Sequence, residues 1–358
     1  MRLSIIVGTR PEIIKMSPII RECERLQVDY FILHTGQHYS YNMDHVFFEQ
    51  LELPAPRYNL NIGSGTPGEQ TGKILRGVED ILLKEKPDVV LVEGDTNTVL
   101  AGALAAVKLH IAVGHVEAGL RSYDRSMPEE INRVLTDHCS DLLFAPTKQA
   151  YQILLEEGIP TDHIFITGNT IVDAVTHNIQ LAEKQNHILD DLGLKKQEYF
   201  LATLHRQENV DDHDRFQSIL KGLNDLHRKY DLPVIYPVHP RSEKKIQEFR
   251  LESPGITLVE PMDYFDFLHL EQHARVVLTD SGGVQEETCI LGTPCVTLRS
   301  NTERPETLAV GSNLLAGVYS ENIVRCTSEM AGKNKSWENP FGDGTSGCQI
   351  IQILRDTL

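Results

Sequence analysis

The stretch Leu3-Ser4-Ile5-Ile6-Val7-Gly8-Thr9-Arg10-Pro11-Glu12 decides the fold. Leu3–Val7 shows no alternation of apolar with polar residues, so it reads as a strand buried on both faces, as in a parallel sheet. Gly8-Thr9 ends it. Pro11 suits a first helical position, where a missing N–H costs nothing. Strand, turn and helix thus follow one another within a few residues, the opening of a βα unit.

The same grammar recurs to the end of the chain. Strands are expected at Phe31–His34, Val89–Val92, Ile111–His115, Leu142–Ala145 and Ile164–Thr167. A second series runs Phe200–Leu204, Val234–Val238, Thr257–Val259, Val276–Thr279 and Cys295–Leu298. Helical patterns lie between them, at Gly68–Lys86, Thr98–Leu109, Glu129–His138, Thr147–Glu157, Asp214–Tyr230 and Gly283–Leu291. Repeated βα units imply α/β architecture with doubly wound parallel sheets. At 358 residues the chain is long enough for two such domains.

The polar helix Ile171–Leu189 reads as the connector, which sets residues 1–170 and 171–347 as the two domains. Asn334–Gly347 is a Gly- and Asn-rich loop able to cross between them, and residues 348–358 form a terminal helix joining the first.

Composition narrows the partners. The formal net charge is -17, from 34 Lys and Arg against 51 Asp and Glu, which argues against nucleic acid or an anionic membrane. Six cysteines without a C-x-x-C pair read as reduced core thiols, as in the cytoplasm. The N-terminus lacks the long apolar run and small-residue site of a signal peptide, and no run suits a membrane span.

In open α/β sheets, ligands bind beyond the carboxyl ends of the strands. In the first series those ends carry Arg10 with Lys15, then Gln37-His38, Asp95, and Glu117 followed by Glu129 and Arg133. Arg10 and Lys15 read as a phosphate or carboxylate clamp. Asp95, Glu117 and Glu129 gather acids over one sheet edge, and neighbouring carboxylates raise one another's pKa until one donates and another accepts protons near neutrality. The second series carries His205-Arg206, His239, and Ser281-Gly282-Gly283 with Glu287. Ser-Gly-Gly at a helix start bares backbone N–H groups to an anion. Glu287, one turn on, suits the vicinal hydroxyls of a ribose, and Arg304 adds a cation on a later loop. The expected ligand is a nucleoside diphosphate joined to a polyol, in a cleft between the domains. Gly63-Ser64-Gly65-Thr66-Pro67-Gly68 matches G-x-G-x-x-G but follows no buried strand, so no dinucleotide is expected there. His34 and His38 span a turn and lack helical metal-ligand spacing, and no metal is expected.

Six motifs carry a resemblance. They are Gly8–Glu12, Gly94-Asp95-Thr96, Gly114–Arg121, Pro128–Arg133, Asp280–Glu287 and Thr302–Glu306. In this order, across nearly the whole chain, they resemble the signatures of the non-hydrolysing UDP-N-acetylglucosamine 2-epimerases. The resemblance implies a GT-B-like fold of two Rossmann-like domains, and interconversion of UDP-GlcNAc and UDP-ManNAc in a cytoplasmic homodimer. It implies neither metal nor nicotinamide. Asp95, Glu117, Glu129 and His205 fall on positions tied to catalysis. Arg10, Ser281, Gly282, Gly283 and Glu287 fall on positions that hold UDP. Lys15, Arg133, Arg206, His239 and Arg304 complete the candidate substrate-binding set. Gln37 is the Gln of a pair that, with a second Gln three residues on, contacts an activating UDP-GlcNAc in many bacterial members. Here Tyr39 and Ser40 follow His38, so Gln37 and His38 are regulatory candidates in an altered pattern.

The expected route loses UDP as the C2 proton is removed, giving 2-acetamidoglucal, and then re-adds UDP with proton return on the opposite face. Which acid is base and which is donor stays open. The alternatives are a 2-epimerase of another UDP-N-acetylhexosamine (a 6-deoxy sugar), a hydrolysing epimerase, a GT-B glycosyltransferase and a non-catalytic nucleotide-sugar binder.

Overall fold

The opening apolar run forms β1 (Arg2–Val7), with Leu3, Ile5, Ile6 and Val7 wholly buried. Neither face of this strand meets water, which is why its residues do not alternate. The computed structural model describes residues 1–37, 47–185, 187–333 and 336–358. The chain divides into two units, Met1–Ala174 with Phe341–Leu358, and Val175–Pro340.

In the first unit, β1 is joined by β2 (Asp29–His34), β3 (Tyr58–Asn59), β4 (Val89–Glu93), β5 (Ala112–Val116), β6 (Leu142–Ala145) and β7 (Ile164–Ile166). Among the described residues they pair in parallel, in the order β3-β2-β1-β4-β5-β6-β7. The winding runs outward from β1 to β3, then restarts at β4 on the other side of β1. At such a switch point neighbouring connections depart to opposite faces and leave a crevice at the strand ends. Gly8 and Gly94 follow the two strands that flank it.

Helices start where local chemistry supplies the missing acceptors for their first N–H groups. Thr66 caps Pro67–Glu85 through Glu69 N–H, Thr96 caps Asn97–Lys108 through Thr98 N–H, and Thr147 caps Lys148–Glu156 through Ala150 N–H. Ile74, Val78 and Leu82 of the first of these helices, with Val99 and Ala103 of the second, pack on Ile6, Leu33, Val90 and Val92 of the sheet. The C-terminal helix Ser346–Thr357 lies against helix Arg10–Leu26, where a Cβ on Gly347 would come within 2.9 Å of the Pro18 carbonyl carbon. Asp173 accepts the Gly347 and Ser346 N–H groups at 3.0 and 3.3 Å.

The second unit repeats the plan. Its strands are β8 (Phe200–Thr203), β9 (Val234–Pro237), β10 (Ile256–Val259), β11 (Val276–Thr279), β12 (Cys295–Thr297) and β13 (Asn313–Leu315), ordered β10-β9-β8-β11-β12-β13. All pairs are parallel, and the switch point lies between β8 and β11. Phe200, Tyr236, Leu278 and Val296 form its core with Phe216, Ile219 and Leu223 of helix His213–Tyr230.

Two strands differ from the sequence reading. β3 and β13 are outer strands of two and three residues, and most of their residues are half-buried. A segment that short, paired on one side, has too few buried positions to leave a pattern. The G-x-G-x-x-G match follows edge strand β3, away from the switch point, and a Cβ on Gly63 or Gly68 would meet nothing within 4 Å. No helix among the described residues is long and apolar enough to cross a membrane.

Gly8 is required by its neighbours. A Cβ there would sit 2.1 Å from Thr98 Oγ1 and 2.4 Å from Thr35 Oγ1, two hydroxyls that bond each other at 2.8 Å. Gly8→Ala should therefore lower stability by about 1–3 kcal/mol in urea unfolding, and adding Thr98→Ala should recover part of the loss.

Candidate active site

The first unit concentrates carboxylates at its switch point. Glu12 lies one turn into helix Arg10–Leu26 and folds back on the loop that precedes it. Its Oε2 accepts the Gly8 N–H at 2.6 Å, and its Oε1 accepts the Thr9 and Thr96 hydroxyls at 3.0 and 2.7 Å. The anion place at this helix N-terminus is thus filled by the protein's own side chain. Burial pushes the Glu12 carboxyl up to about 7 despite these donors, and the nearby Asp95 charge adds to the rise.

Lys15, on the same helix, reaches the ends of β4 and β5. Its ammonium bonds Glu117 and lies 3.4 Å from Glu93 Oε1, and all three side chains are buried. Burial drives Glu93 well above the ordinary carboxyl range; Lys15 opposes the shift, while Glu117, Glu12 and Asp95 reinforce it. Glu117 follows β5 with a left-handed backbone, φ 68°, and also accepts the Asn169 side-chain amide at 3.2 Å. Asp95, two residues beyond β4, is paired with Arg133, whose guanidinium also bonds Glu130 at 2.6 Å. The Asn132 amide donates to the Asp95 carbonyl at 2.9 Å. Arg133 and Asn132 belong to helix Pro128–Cys139, which is thereby docked on the Asp95 loop. Glu129, in its first turn, is exposed and makes no ion pair or hydrogen bond among the described residues.

The second unit offers donors. Ser281 starts helix Gly282–Leu291, and its hydroxyl does not cap that helix. Gly282 presses on Glu303, whose Oε1 would lie 2.6 Å from an added Cβ, while a Cβ on Gly283 would touch only Ser281 Oγ at 3.9 Å. The first N–H groups of a helix have no helical acceptor, so Gly282 and Gly283 present donors suited to an anion, while the Ser281 N–H is held by Thr279 Oγ1 at 3.0 Å. Beside it, across the β8–β11 switch point, His205 Nδ1 lies 3.0 Å from Asp280 Oδ1. Asp280 also accepts the backbone N–H groups of His205 and Arg206 and the Asn209 amide. Burial opposes its charge, but these donors outweigh burial and hold Asp280 below the usual carboxylate range. With Nδ1 turned to Asp280, Nε2 of the half-exposed His205 ring is left for a ligand.

Arg206 bonds Glu303 at 3.0 Å, Arg299 bonds it at 2.8 Å, and Arg304 meets buried Glu286 at 2.6 Å. Glu287 is buried beside Tyr264, whose hydroxyl is held far above its ordinary value by burial and by Glu287 and Glu271.

The structure thus joins Lys15 to Glu117, Asp95 to Arg133, and sets His205, Arg206 and Ser281–Gly283 around one switch point. Lys15 and Arg133, expected to clamp a ligand, are engaged by the protein's own acids. Arg10 stacks over Phe47 at 5.5 Å. His239 is exposed and caps helix Pro240–Phe249, accepting the Arg241 N–H at 3.2 Å. Gln37 is buried, its side-chain oxygen taking the Thr98 hydroxyl at 2.8 Å; His38 lies outside the described residues. The sequence reading passed over Glu12, Glu93, Asp280 and Glu303 as working groups. Glu12 carried a signal, a Thr-x-x-Glu spacing at a helix start. Glu93 showed as an acid closing an apolar run.

The family described as UDP-N-acetylglucosamine 2-epimerase matches residues 21–355. A UDP-N-acetylglucosamine 2-epimerase of Methanocaldococcus jannaschii is 56% identical, over 99% of each chain. The crystal structure of the enzyme from that organism in complex with UDP-GlcNAc and UDP has a TM-score of 0.92, covering 99% of this chain and 100% of its own. The Neisseria meningitidis UDP-GlcNAc 2-epimerase bound to UDP-GlcNAc is 34% identical with a TM-score of 0.92 and full coverage of both chains, 100% each. A Pseudomonas aeruginosa relative, 42% identical over 99% of each chain, is a UDP-2,3-diacetamido-2,3-dideoxy-D-glucuronate 2-epimerase.

Glu303 gives a pH signature. Burial opposes its charge, yet Arg304, Arg299 and Arg206 hold it down to about 2, against 4.5 for a free carboxyl. A depressed native value contributes stability that is present above pH 4.5 and lost as pH falls toward 2. The urea midpoint of Glu303→Gln should therefore fall less than the wild type's as pH drops from about 5 to about 3.

Proposed function

The chain belongs to the UDP-N-acetylglucosamine 2-epimerase family, and from that membership we propose that it interconverts UDP-N-acetylglucosamine and UDP-N-acetylmannosamine without net hydrolysis. The observation that carries the reading is the carboxylate group at the ends of adjacent strands β4 and β5, with Lys15 bonded into it and the helix of Glu129 docked on it.

The chemistry needs these parts. The C2 hydrogen of the sugar is not α to a carbonyl, so its direct removal leaves an unstabilised carbanion. Breaking the C1–O bond as C2–H is removed gives 2-acetamidoglucal and UDP. UDP then adds back at C1 while a proton reaches C2 from the other face. The first unit supplies proton transfer: one of Asp95, Glu117 and Glu129 takes the proton and another returns one. Lys15 balances charge as Glu117 changes protonation.

The second unit holds the nucleotide. The Ser281 hydroxyl, the N–H groups of Gly282 and Gly283 and the cations Arg206 and Arg304 meet the diphosphate, where negative charge grows as the C1–O bond breaks. His205, oriented by Asp280, donates from Nε2, and Glu287 accepts the ribose hydroxyls. Arg10 and His239 complete the binding set, and Gln37 with His38 forms the candidate regulatory contact. The active form is a homodimer in the cytoplasm, a reading consistent with six free thiols.

A second substrate reading is favoured by the Pseudomonas aeruginosa relative, whose sugar differs at C3 and C6. Another UDP-N-acetylhexosamine would use the same proton chemistry at C2.

Proton NMR in D2O tests both readings. With UDP-GlcNAc alone, UDP-ManNAc should form with deuterium at C2. Retention of the original hydrogen at C2, or free ManNAc in stoichiometric yield, would contradict the mechanism. Inactivity on UDP-GlcNAc with turnover of UDP-2,3-diacetamido-2,3-dideoxy-D-glucuronate, or of a 6-deoxy analogue, would select the second substrate. Asp95→Asn, Glu117→Gln and Glu129→Gln should each lower kcat by about 10²–10⁴-fold while UDP affinity, read by calorimetry, stays within a few fold.

A further inference from the structure

Behind the acids of the first unit runs a buried hydrogen-bonded chain that none of the steps above uses. His115, on β5, is wholly buried. Its Nδ1 lies 2.6 Å from Asp137 Oδ1 and its Nε2 lies 2.8 Å from the Gly94 carbonyl oxygen. A carboxylate and a carbonyl are both acceptors, so both ring nitrogens donate. Asp137, also wholly buried, accepts the Gly119 N–H at 3.1 Å and Arg121 at 2.7 Å through its other oxygen. Arg121 in turn holds Glu157 through two bonds of 2.8 and 2.6 Å.

Two ends of the network, and the helix that carries Asp137, lead to proton-handling residues. Gly94 immediately precedes Asp95. Gly119 follows Glu117 by two residues, and Glu117 is held at φ 68°, a backbone region that costs a non-glycine residue about 1–3 kcal/mol. Asp137 lies on helix Pro128–Cys139, which carries Glu129 in its first turn and Arg133, the partner of Asp95, one turn before Asp137. A strained Glu117 persists only where its surroundings over-determine it, and the Asp137 bond to Gly119 is part of that restraint.

We propose that His115 and Asp137 are positioning residues for the epimerisation: their bonds to the Gly94 carbonyl and the Gly119 N–H hold Asp95 and Glu117 in line with C2, and the helix of Asp137 brings Glu129 to the same register. The inference rests on the epimerase reading. Neither residue touches substrate; both act through the acids.

The test separates their two bonds. His115→Asn keeps a donor where Nδ1 meets Asp137 and loses the one to Gly94. His115→Gln keeps a donor for Gly94 and loses the one to Asp137. Each should lower kcat for UDP-GlcNAc about 10²-fold, with KM and the Kd for UDP within about threefold of wild type. In the double variant His115→Asn/Asp95→Asn, kcat should stay within about threefold of Asp95→Asn alone, because the histidine acts through that acid. Multiplied losses in the double variant, or kcat near wild type in folded single variants, would overturn the proposal. Should the His115 variants not fold, Asp137→Asn decides by the same two outcomes, since it keeps the shape and removes one charge. Wild-type protein that makes no UDP-ManNAc from UDP-GlcNAc would remove the reaction itself, and this inference with it. Wild-type turnover with unaffected variants would overturn the positioning role alone.

Discussion

Taking a carboxylate out of water costs several kcal/mol unless a cation or hydrogen bonds come with it, and the first unit buries Glu93 and Glu117 around the ammonium of Lys15 and Glu12 on the Gly8 N–H and two threonine hydroxyls. Lys15 touches Glu117 and lies within 3.4 Å of Glu93, so two carboxyls share one positive charge. Charge in such a group is settled by protons. Glu93 and Glu12 take them up in pH ranges where an exposed acid would be ionised, and burial is the leading cause in both. Parallel pairing of β4 with β5 sets the geometry, because it brings Glu93 into register with Val116, the residue before Glu117. A sheet that is only a scaffold elsewhere thus becomes the device that keeps acids close enough to compete for hydrogen.

The second unit solves a complementary problem. Its winding is the same, but acids at its switch point are spent on orientation rather than on proton exchange. Asp280 gathers four donors and aims His205; Glu303 gathers guanidinium groups and fixes Arg206 and Arg299. These acids stay ionised, and the His205 ring that Asp280 aims is half exposed. Bare glycine N–H groups complete a surface suited to negative charge. One fold plan therefore yields two opposite environments, decided by whether a buried carboxylate meets enough donors.

The architecture was legible because fully buried strands leave an unbroken apolar run, as at Val89–Val92 and Val276–Leu278, and because Pro67 and Pro87 bracket one helix. Edge strands β3 and β13 escaped, since short one-sided pairing buries too little to mark the chain. At the sites, residues at strand ends could be collected from order alone: Asp95, Glu117 and Ser281–Gly283 all stand where doubly wound sheets present ligands. What order does not convey is which partner each charge meets. Lys15 and Arg133 read as hands for a ligand, yet they grip Glu117 and Asp95. Asp137 sits 22 residues from His115, and Asp280 is 75 from His205, so neither dyad leaves a local spacing to recognise.

The last helix has a temporal meaning. Residues 341–358 belong with Met1–Ala174, where Gly347 nests on Pro18 and Asp173 receives the helix's first N–H groups. On a ribosome the leading half emerges first but waits, through the synthesis of an entire intervening half, for its final piece. Val175–Pro340 has all its strands in hand beforehand. The nascent chain therefore matures back to front: the part translated later closes its core earlier, and the unit begun first is completed only when residues 341–358 arrive.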